Sequence, residues 1–407
     1  MNPDTKKYIS ENKLILFLFL LWIFRLFFLQ QGNEGGVIIN QYVVIQIVAE
    51  LGIFFCLLFG GLNLAQIFTK LPIMWFSDLY LLGMASFSWG VLPLMGCYFA
   101  FQNTIMLAAL FYLAARTKDF YQLERFYIFA NLFILWAFFI RTILLGEGDF
   151  HSVAYSTVAG LLFVYSVAEY DKTNRPPENL KMLRRGIIWG FIGLALTSSG
   201  GALASVAVAF FVLAMFAKHP LMKFGAFVCV CTLLIAYFSG ATDWVLNILF
   251  PGKSMASIET AHGRLYLWNL ILEKAAERPW LGWGYASVER ILTGIYTIDA
   301  HNSIVGVLGS LGYVGCAILL MAMLSMFFFI WGKMEIIGFR GLLAACVCGL
   351  VNSNTSNFIA SKASLQSLSF QMIIVLSAVY FIKWQEQKKQ EKALVKTLVP
   401  QEESESK

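Results

Sequence analysis

The chain has 407 residues, of which 59% are hydrophobic and only 13% charged, and its formal net charge is +6. Soluble chains carry about 45–50% apolar and about 25% charged residues, so this is the composition of a chain that crosses a membrane several times. It excludes a soluble enzyme, a disordered scaffold and a nucleic-acid binder.

A helix needs about 20 mostly apolar residues to cross a hydrocarbon core of roughly 30 Å. About twelve such runs occur, starting near residues 14, 37, 72, 92, 125, 153, 187, 201, 224, 302, 341 and 363. The first is followed by Gln30-Gln31-Gly32-Asn33 rather than a small-x-small cleavage site, so it reads as an uncleaved span. If the N-terminus is cytoplasmic, Lys6, Lys7, Lys13, Lys70, Arg116, Lys118, Arg125 and Arg175 fall on the inner side. So do Arg184, Arg185, Lys333, Arg340 and the lysines of the tail. That distribution follows the positive-inside rule. The net charge is thus a topology signal, and both termini are expected inside.

The expected fold is an all-α membrane protein of about 12 transmembrane helices with a large, partly helical periplasmic loop between helices 9 and 10. Residues 1–240 would hold the first nine spans, 241–301 the loop, 302–384 the last three spans and 385–407 a cytoplasmic tail. All seven cysteines, Cys56, Cys97, Cys229, Cys231, Cys316, Cys346 and Cys348, fall in apolar runs, so neither disulfide nor metal site is expected. Arg25, Glu50 and Asp78 lie within spans, where ionisable groups are costly and usually paired. Arg25 and Glu50 fall at compatible depths for a structural ion pair, with a substrate pathway as the second reading.

Long loops in a compact architecture are usually functional, and this one has internal order. From Gly263 to Glu277 the periodicity is helical, with Leu265, Trp268, Leu272 and Ala275/Ala276 expected on one face. Arg264 stands at its start, the wrong end for a cation by the helix-dipole rule, so something besides helix stability should explain it. Pro279-Trp280-Leu281-Gly282-Trp283-Gly284-Tyr285 then ends the helix in a Gly-rich turn whose aromatics could stack on sugar faces or form an aromatic belt. His301-Asn302 follows, and after Ser303 to Leu311 comes Gly312-Tyr313-Val314-Gly315.

In the order, spacing and membrane placement of these elements the sequence resembles the O-antigen ligase and polymerase (Wzy-C) family of bacterial glycosyltransferases. The resemblance implies transfer of a glycan from an undecaprenyl-diphosphate-linked oligosaccharide to an acceptor, either another glycan or lipid A–core. The reaction would run at the periplasmic face of the inner membrane, in O-antigen or related surface-polysaccharide biosynthesis. A diphosphate leaving group develops negative charge that needs a cation beside it. Arg264 suits that role, since its planar fork can hold a phosphate through two donors. An acceptor hydroxyl needs a base near neutral pH, for which His301 is the natural candidate, although it could equally bind the diphosphate. Asn302 belongs to the same motif. Arg278 and Arg290 could touch sugar or phosphate, although a plain surface role is the leading reading for both. Gly312 and Gly315 would let backbones pack closely beneath the site.

Two observations shape this reading. No Asp-x-Asp occurs in the chain, and Glu147-Gly148-Asp149-Phe150-His151 reads better as a polar turn than as a metal site, so transfer is expected to be metal-independent, with no cofactor. Ligases of the family carry a second Arg between spans seven and eight, but the matching stretch, Leu196 to Leu203, has none. Arg141, or else Lys362, would have to supply that charge. The departure tilts the expectation toward a polymerase. The competing class is a 12-span transporter, which would place its polar residues near the midplane.

Overall fold

A computed structural model of the protein describes residues 3–28, 41–60, 67–145, 152–170, 175–197, 199–216, 264–293 and 300–398. Among the described residues all regular structure is helical. The helices are α1 (Pro3–Phe28), α2 (Gln41–Phe59), α3 (Ile73–Ala85), α4 (Pro93–Ala115), α5 (Phe120–Leu145), α6 (Ser152–Tyr170), α7 (Pro177–Thr197) and α8 (Gly200–Met215). After the gap come α9 (Arg264–Glu277), α10 (Val288–Thr293), α11 (Ser303–Trp331), α12 (Phe339–Asn352) and α13 (Leu365–Leu398). Every expected apolar run falls on one of these except the run near residue 224, which lies outside the described residues together with residues 241–263 and 294–299 of the loop.

Among the described residues, five stretches are long and apolar enough to cross a membrane: Pro93–Ala115, Phe120–Ile140, Val153–Tyr170, Ser303–Trp331 and Leu365–Glu391. Val44–Phe59, Gly200–Met215 and Phe339–Asn352 are apolar but shorter. The expected boundary at residue 385 falls inside α13, which continues unbroken to Leu398 and is exposed from Gln385 to Glu391. Its Lys388–Glu391 pair at 2.8 Å suits a solvated helix.

Side-chain bonds define two ends of the bundle. At one, a buried arginine joins three helices: Arg175, just before α7, pairs with both Glu124 of α5 and Glu169 of α6. Burial works against its charge, but the two carboxylates outweigh that and hold the guanidinium above its ordinary value. Glu169 also accepts from the Gly341 amide at 2.7 Å, which fixes the start of α12. Arg116, Lys118, Arg125, Arg184, Arg185, Lys333, Arg340 and Lys383 belong to the same end, which is therefore strongly basic. The other end gathers the α3–α4 connection, the segment 278–287, residues 300–303 and the segment 353–364. Its ties include Ser303 N–H to the Ser353 carbonyl at 2.8 Å and Gln366 Nε2 to the Val153 carbonyl at 3.1 Å.

Glu50, within α2, accepts through Oε1 from Trp22 Nε1 at 2.8 Å, Gln46 Nε2 at 2.5 Å and Gln102 Nε2 at 2.8 Å. A carboxylate oxygen with three donors is satisfied through neutral groups. The side chain of Arg25, its expected partner, lies outside the described residues.

Candidate functional site

The site is built on a broken helix. Inside α11, Gly312 has φ 64° and ψ −161°, a backbone conformation that only glycine adopts readily. An unbroken helix would pair the amides of Tyr313 and Val314 with the carbonyls of Gly309 and Ser310. Here all four groups turn to the Gly-rich turn instead. Tyr313 N–H donates to the Pro279 carbonyl at 2.7 Å and Val314 N–H to that of Trp280 at 3.2 Å. In return, Trp283 N–H donates to Gly309 at 3.2 Å and Gly284 N–H to Ser310 at 2.7 Å. A backbone group left unpaired in an apolar medium costs several kcal/mol, so kink and turn require one another. A Cβ on Gly312 would strike the backbone of Trp280 and Leu281. The close approach expected of the two glycines thus holds between segments at Gly312, whereas Gly315 lies against Leu311 of its own helix.

The far side of the turn rests on the α3–α4 connection. Val91 N–H donates to the Trp283 carbonyl at 3.0 Å, Trp89 Nε1 to Leu281 at 2.9 Å, and Tyr285 N–H to Ser86 Oγ at 3.0 Å. Of the aromatics expected to stack on sugars, Tyr285 is fully buried and cannot do so. Trp283 is half-buried, its face covered by Arg278 at 4.2 Å and its Nε1 donating to the Lys274 carbonyl at the end of α9. Only Trp280 is well exposed, with Tyr313 edge-on at 5.9 Å.

Helix α9 forms as expected, but rotated. Ile271 and Ala275 are buried, whereas Leu265 and Leu272 are exposed at 45% and 43%. Ile271 packs with Val288 against Gly309, and that contact selects the face. Positions 264, 268, 271 and 275 share one helical stripe. The bundle-facing side therefore includes half-buried Arg264, which the expected face, centred on Leu265 and Leu272, did not.

One turn beyond Arg264, Trp268 Nε1 donates to the carbonyl of Ala300 at 2.8 Å. Ala300 is fully buried, and the next residue, His301, is half-buried with φ 51°. A side chain in this left-handed region is uncommon outside glycine. Capping of α11 falls to Asn302, whose Oδ1 accepts from the amides of Ile304 at 2.9 Å and Val305 at 3.1 Å. Asn302 is thus committed to the helix terminus, and capping does not account for the histidine.

The other expected residues divide. Arg290, on α10, donates to the Ala286 carbonyl and lies over the Phe99 ring at 5.2 Å. Lys362 is exposed on the segment joining α12 to α13, at the same end as His301. Arg141 stands near the end of α5, and its side chain lies outside the described residues, as does the Glu147–His151 stretch. The first turn of α8, within the stretch that lacks the second Arg, meets the segment joining α12 to α13, since a Cβ on Gly201 would contact the side chain of Thr355, seven residues before Lys362. Among the described residues no group of three His, Cys, Asp or Glu is placed to hold a metal ion.

Sequence reasoning missed Ser86, Trp89, Asn103 and Gln371. Asn103 and Gln371 were visible as amides inside apolar runs, the usual sign of interhelical hydrogen bonding. Ser86 and Trp89 carried no such mark.

Among the described residues, Arg264, Arg290, Lys362 and His301 thus belong to one end of an all-helical bundle. Residues 186–320 match the Wzy_C family model, described as O-antigen ligase, which supports an O-antigen ligase or polymerase family for that stretch. The matched stretch contains Arg264, Arg290, His301 and the glycine-rich turn, and leaves Arg141 and Lys362 outside it. Members of the family are glycosyltransferase-like enzymes that use lipid-linked glycans and acceptors in surface-polysaccharide biosynthesis. No curated protein matches the chain.

Proposed function

We propose that the protein transfers a glycan from an undecaprenyl-diphosphate carrier to an acceptor sugar at the periplasmic face of the bacterial inner membrane, as a polymerase rather than a ligase. The observation that carries the reading is the Trp268–Ala300 bond at 2.8 Å, which holds the first turn of the Arg264 helix beside His301. The basic end, with Arg116, Arg175, Arg340 and their neighbours, supports its assignment to the cytoplasm. The site then faces outward at the membrane boundary, where carrier and acceptor meet.

The acceptor hydroxyl attacks the anomeric carbon, its proton passes to the imidazole of His301, and the bond from that carbon to the diphosphate breaks. Negative charge left on the carrier diphosphate is met by Arg264, with Arg290 and Lys362 as further cations. Lys362 is taken as the substitute for the absent second Arg, because the segment that carries it reaches Gly201, within the stretch where that Arg would stand, through Thr355. These cations can stabilise the leaving group without a metal, in keeping with the lack of Asp-x-Asp in the chain. The gathering of polar residues at one end favours an enzyme over a carrier, whose binding site would lie near the midplane.

The test is the glycan profile of a deletion strain. Single repeat units on lipid A–core identify a polymerase. Naked core with accumulated carrier-linked polymer identifies a ligase and corrects the proposal. An unchanged profile rejects both.

A further inference from the structure

Asn103 is fully buried in α4, yet its amide is not confined to its own helix. Nδ2 donates to the Ser361 carbonyl at 2.8 Å, to the Phe99 carbonyl at 3.0 Å and to the Tyr285 hydroxyl at 3.3 Å. Oδ1 accepts from Gln371 Nε2 at 3.0 Å. The Tyr285 hydroxyl in turn donates to the same Ser361 carbonyl at 3.3 Å. Two residues upstream, the Ile359 carbonyl accepts from Tyr80 at 3.1 Å.

Three of these partners, Phe99, Tyr285 and Ser361, lead to a cation. Tyr285 precedes Ala286, whose carbonyl receives the Arg290 guanidinium, and the ring of Phe99 lies beneath that guanidinium. Ser361 precedes exposed Lys362. Buried amides usually bond one neighbouring helix. This one ties together two separate segments, each carrying a positive charge at the same end of the bundle.

We propose that Asn103 is a positioning residue for a diphosphate subsite: through Tyr285 and Phe99 it sets Arg290, through Ser361 it sets Lys362, and so it fixes the spacing of the two cations. The proposal rests on the glycosyltransferase reading. A diphosphate offers two phosphate groups at a fixed separation, and a misplacement of about 1 Å can cost about a hundredfold in rate.

The test uses the full-length protein in lipid nanodiscs and measures the affinity for undecaprenyl diphosphate. The variants are Asn103→Leu, Tyr285→Phe, Lys362→Ala, Asn103→Leu with Lys362→Ala, and Gln46→Leu as a comparably buried amide that serves Glu50 instead. Asn103→Leu and Tyr285→Phe are expected to weaken binding about tenfold. The double variant should lose less affinity than the two single losses combined, because Asn103→Leu already removes part of what Lys362 contributes. Gln46→Leu should bind like wild type.

Wild-type affinity in folded Asn103→Leu and Tyr285→Phe overturns the proposal. An equal loss in Gln46→Leu also overturns it, since general loosening then explains the effect. Failure of the wild-type protein to bind undecaprenyl diphosphate rejects the glycosyltransferase reading itself and this inference with it. Should Asn103→Leu not fold, Tyr285→Phe, which removes a single hydroxyl, decides alone.

Discussion

Trp268 and Ala300 stand 32 residues apart, and the indole of one donates to the backbone carbonyl of the other at 2.8 Å. Trp268 shares the bundle-facing stripe of α9 with Arg264, and Ala300 precedes His301. One bond therefore registers the helix that opens with the proposed phosphate-binding cation against the residue proposed as base. Neither residue need touch substrate to matter.

Trp268→Phe keeps an aromatic ring at the position and removes the donor together with part of the indole's volume. A hydrogen bond of this kind contributes about 0.5–1.5 kcal/mol to stability, so the variant should fold and reach normal membrane levels. Glycan transfer should fall about three- to tenfold if that free energy acts on the registry of the site. Quantified glycan chains at matched protein levels measure it.

Gly312→Ala and Gly315→Ala should separate sharply. At Gly312 the backbone conformation alone costs a non-glycine residue on the order of 1–3 kcal/mol. The added methyl also meets the backbone of Trp280 and Leu281, which cannot swing aside. At Gly315 the backbone is helical, so that conformational cost does not arise, and the methyl meets Leu311 of the same helix, from its Cβ outward. Thermal unfolding in detergent should show a drop of several degrees for the first and a smaller one for the second.

Arg175→Gln leaves Glu124 and Glu169 buried without their shared cation. Removing one partner of a buried ion pair costs about 3–5 kcal/mol, so the thermal midpoint should fall well below that of the wild type. Adding Glu124→Gln removes one uncompensated charge and should recover part of the loss. The same unfolding assay reads both.

Lys362→Ala should reduce transfer about tenfold or more, and Lys362→Arg should restore most of it, if the residue meets diphosphate charge. Arg141→Ala should have the smaller effect. Carrier titrations of transfer in isolated membranes distinguish the two, and a larger loss in Arg141→Ala would reverse the assignment.

Much of the helical layout was legible because membrane spans impose long apolar runs on the sequence. The segment from Gly263 to Glu277 was legible as a helix but not in its orientation. Leu265 and Leu272 look like buried residues, yet the face was chosen by the fit of Ile271 against Val288 and Gly309, residues that periodicity within one helix cannot see. The glycines after His301 announced close backbone approach. They did not announce that Gly312 breaks α11 and passes its hydrogen bonds to the Pro279–Gly284 turn, since each segment alone is an ordinary pattern. The spanning of Asn103 from Tyr285 to Ser361 was hidden for the same reason: its partners lie 182 and 258 residues away.

The most direct test of the central claim is complementation of a deletion strain with wild type, Arg264→Ala or His301→Ala at equal membrane levels, read as the length distribution of surface glycan. Wild type should restore the full profile, and each point variant should leave it at or near that of the deletion. Full restoration by both variants would contradict the site proposed here.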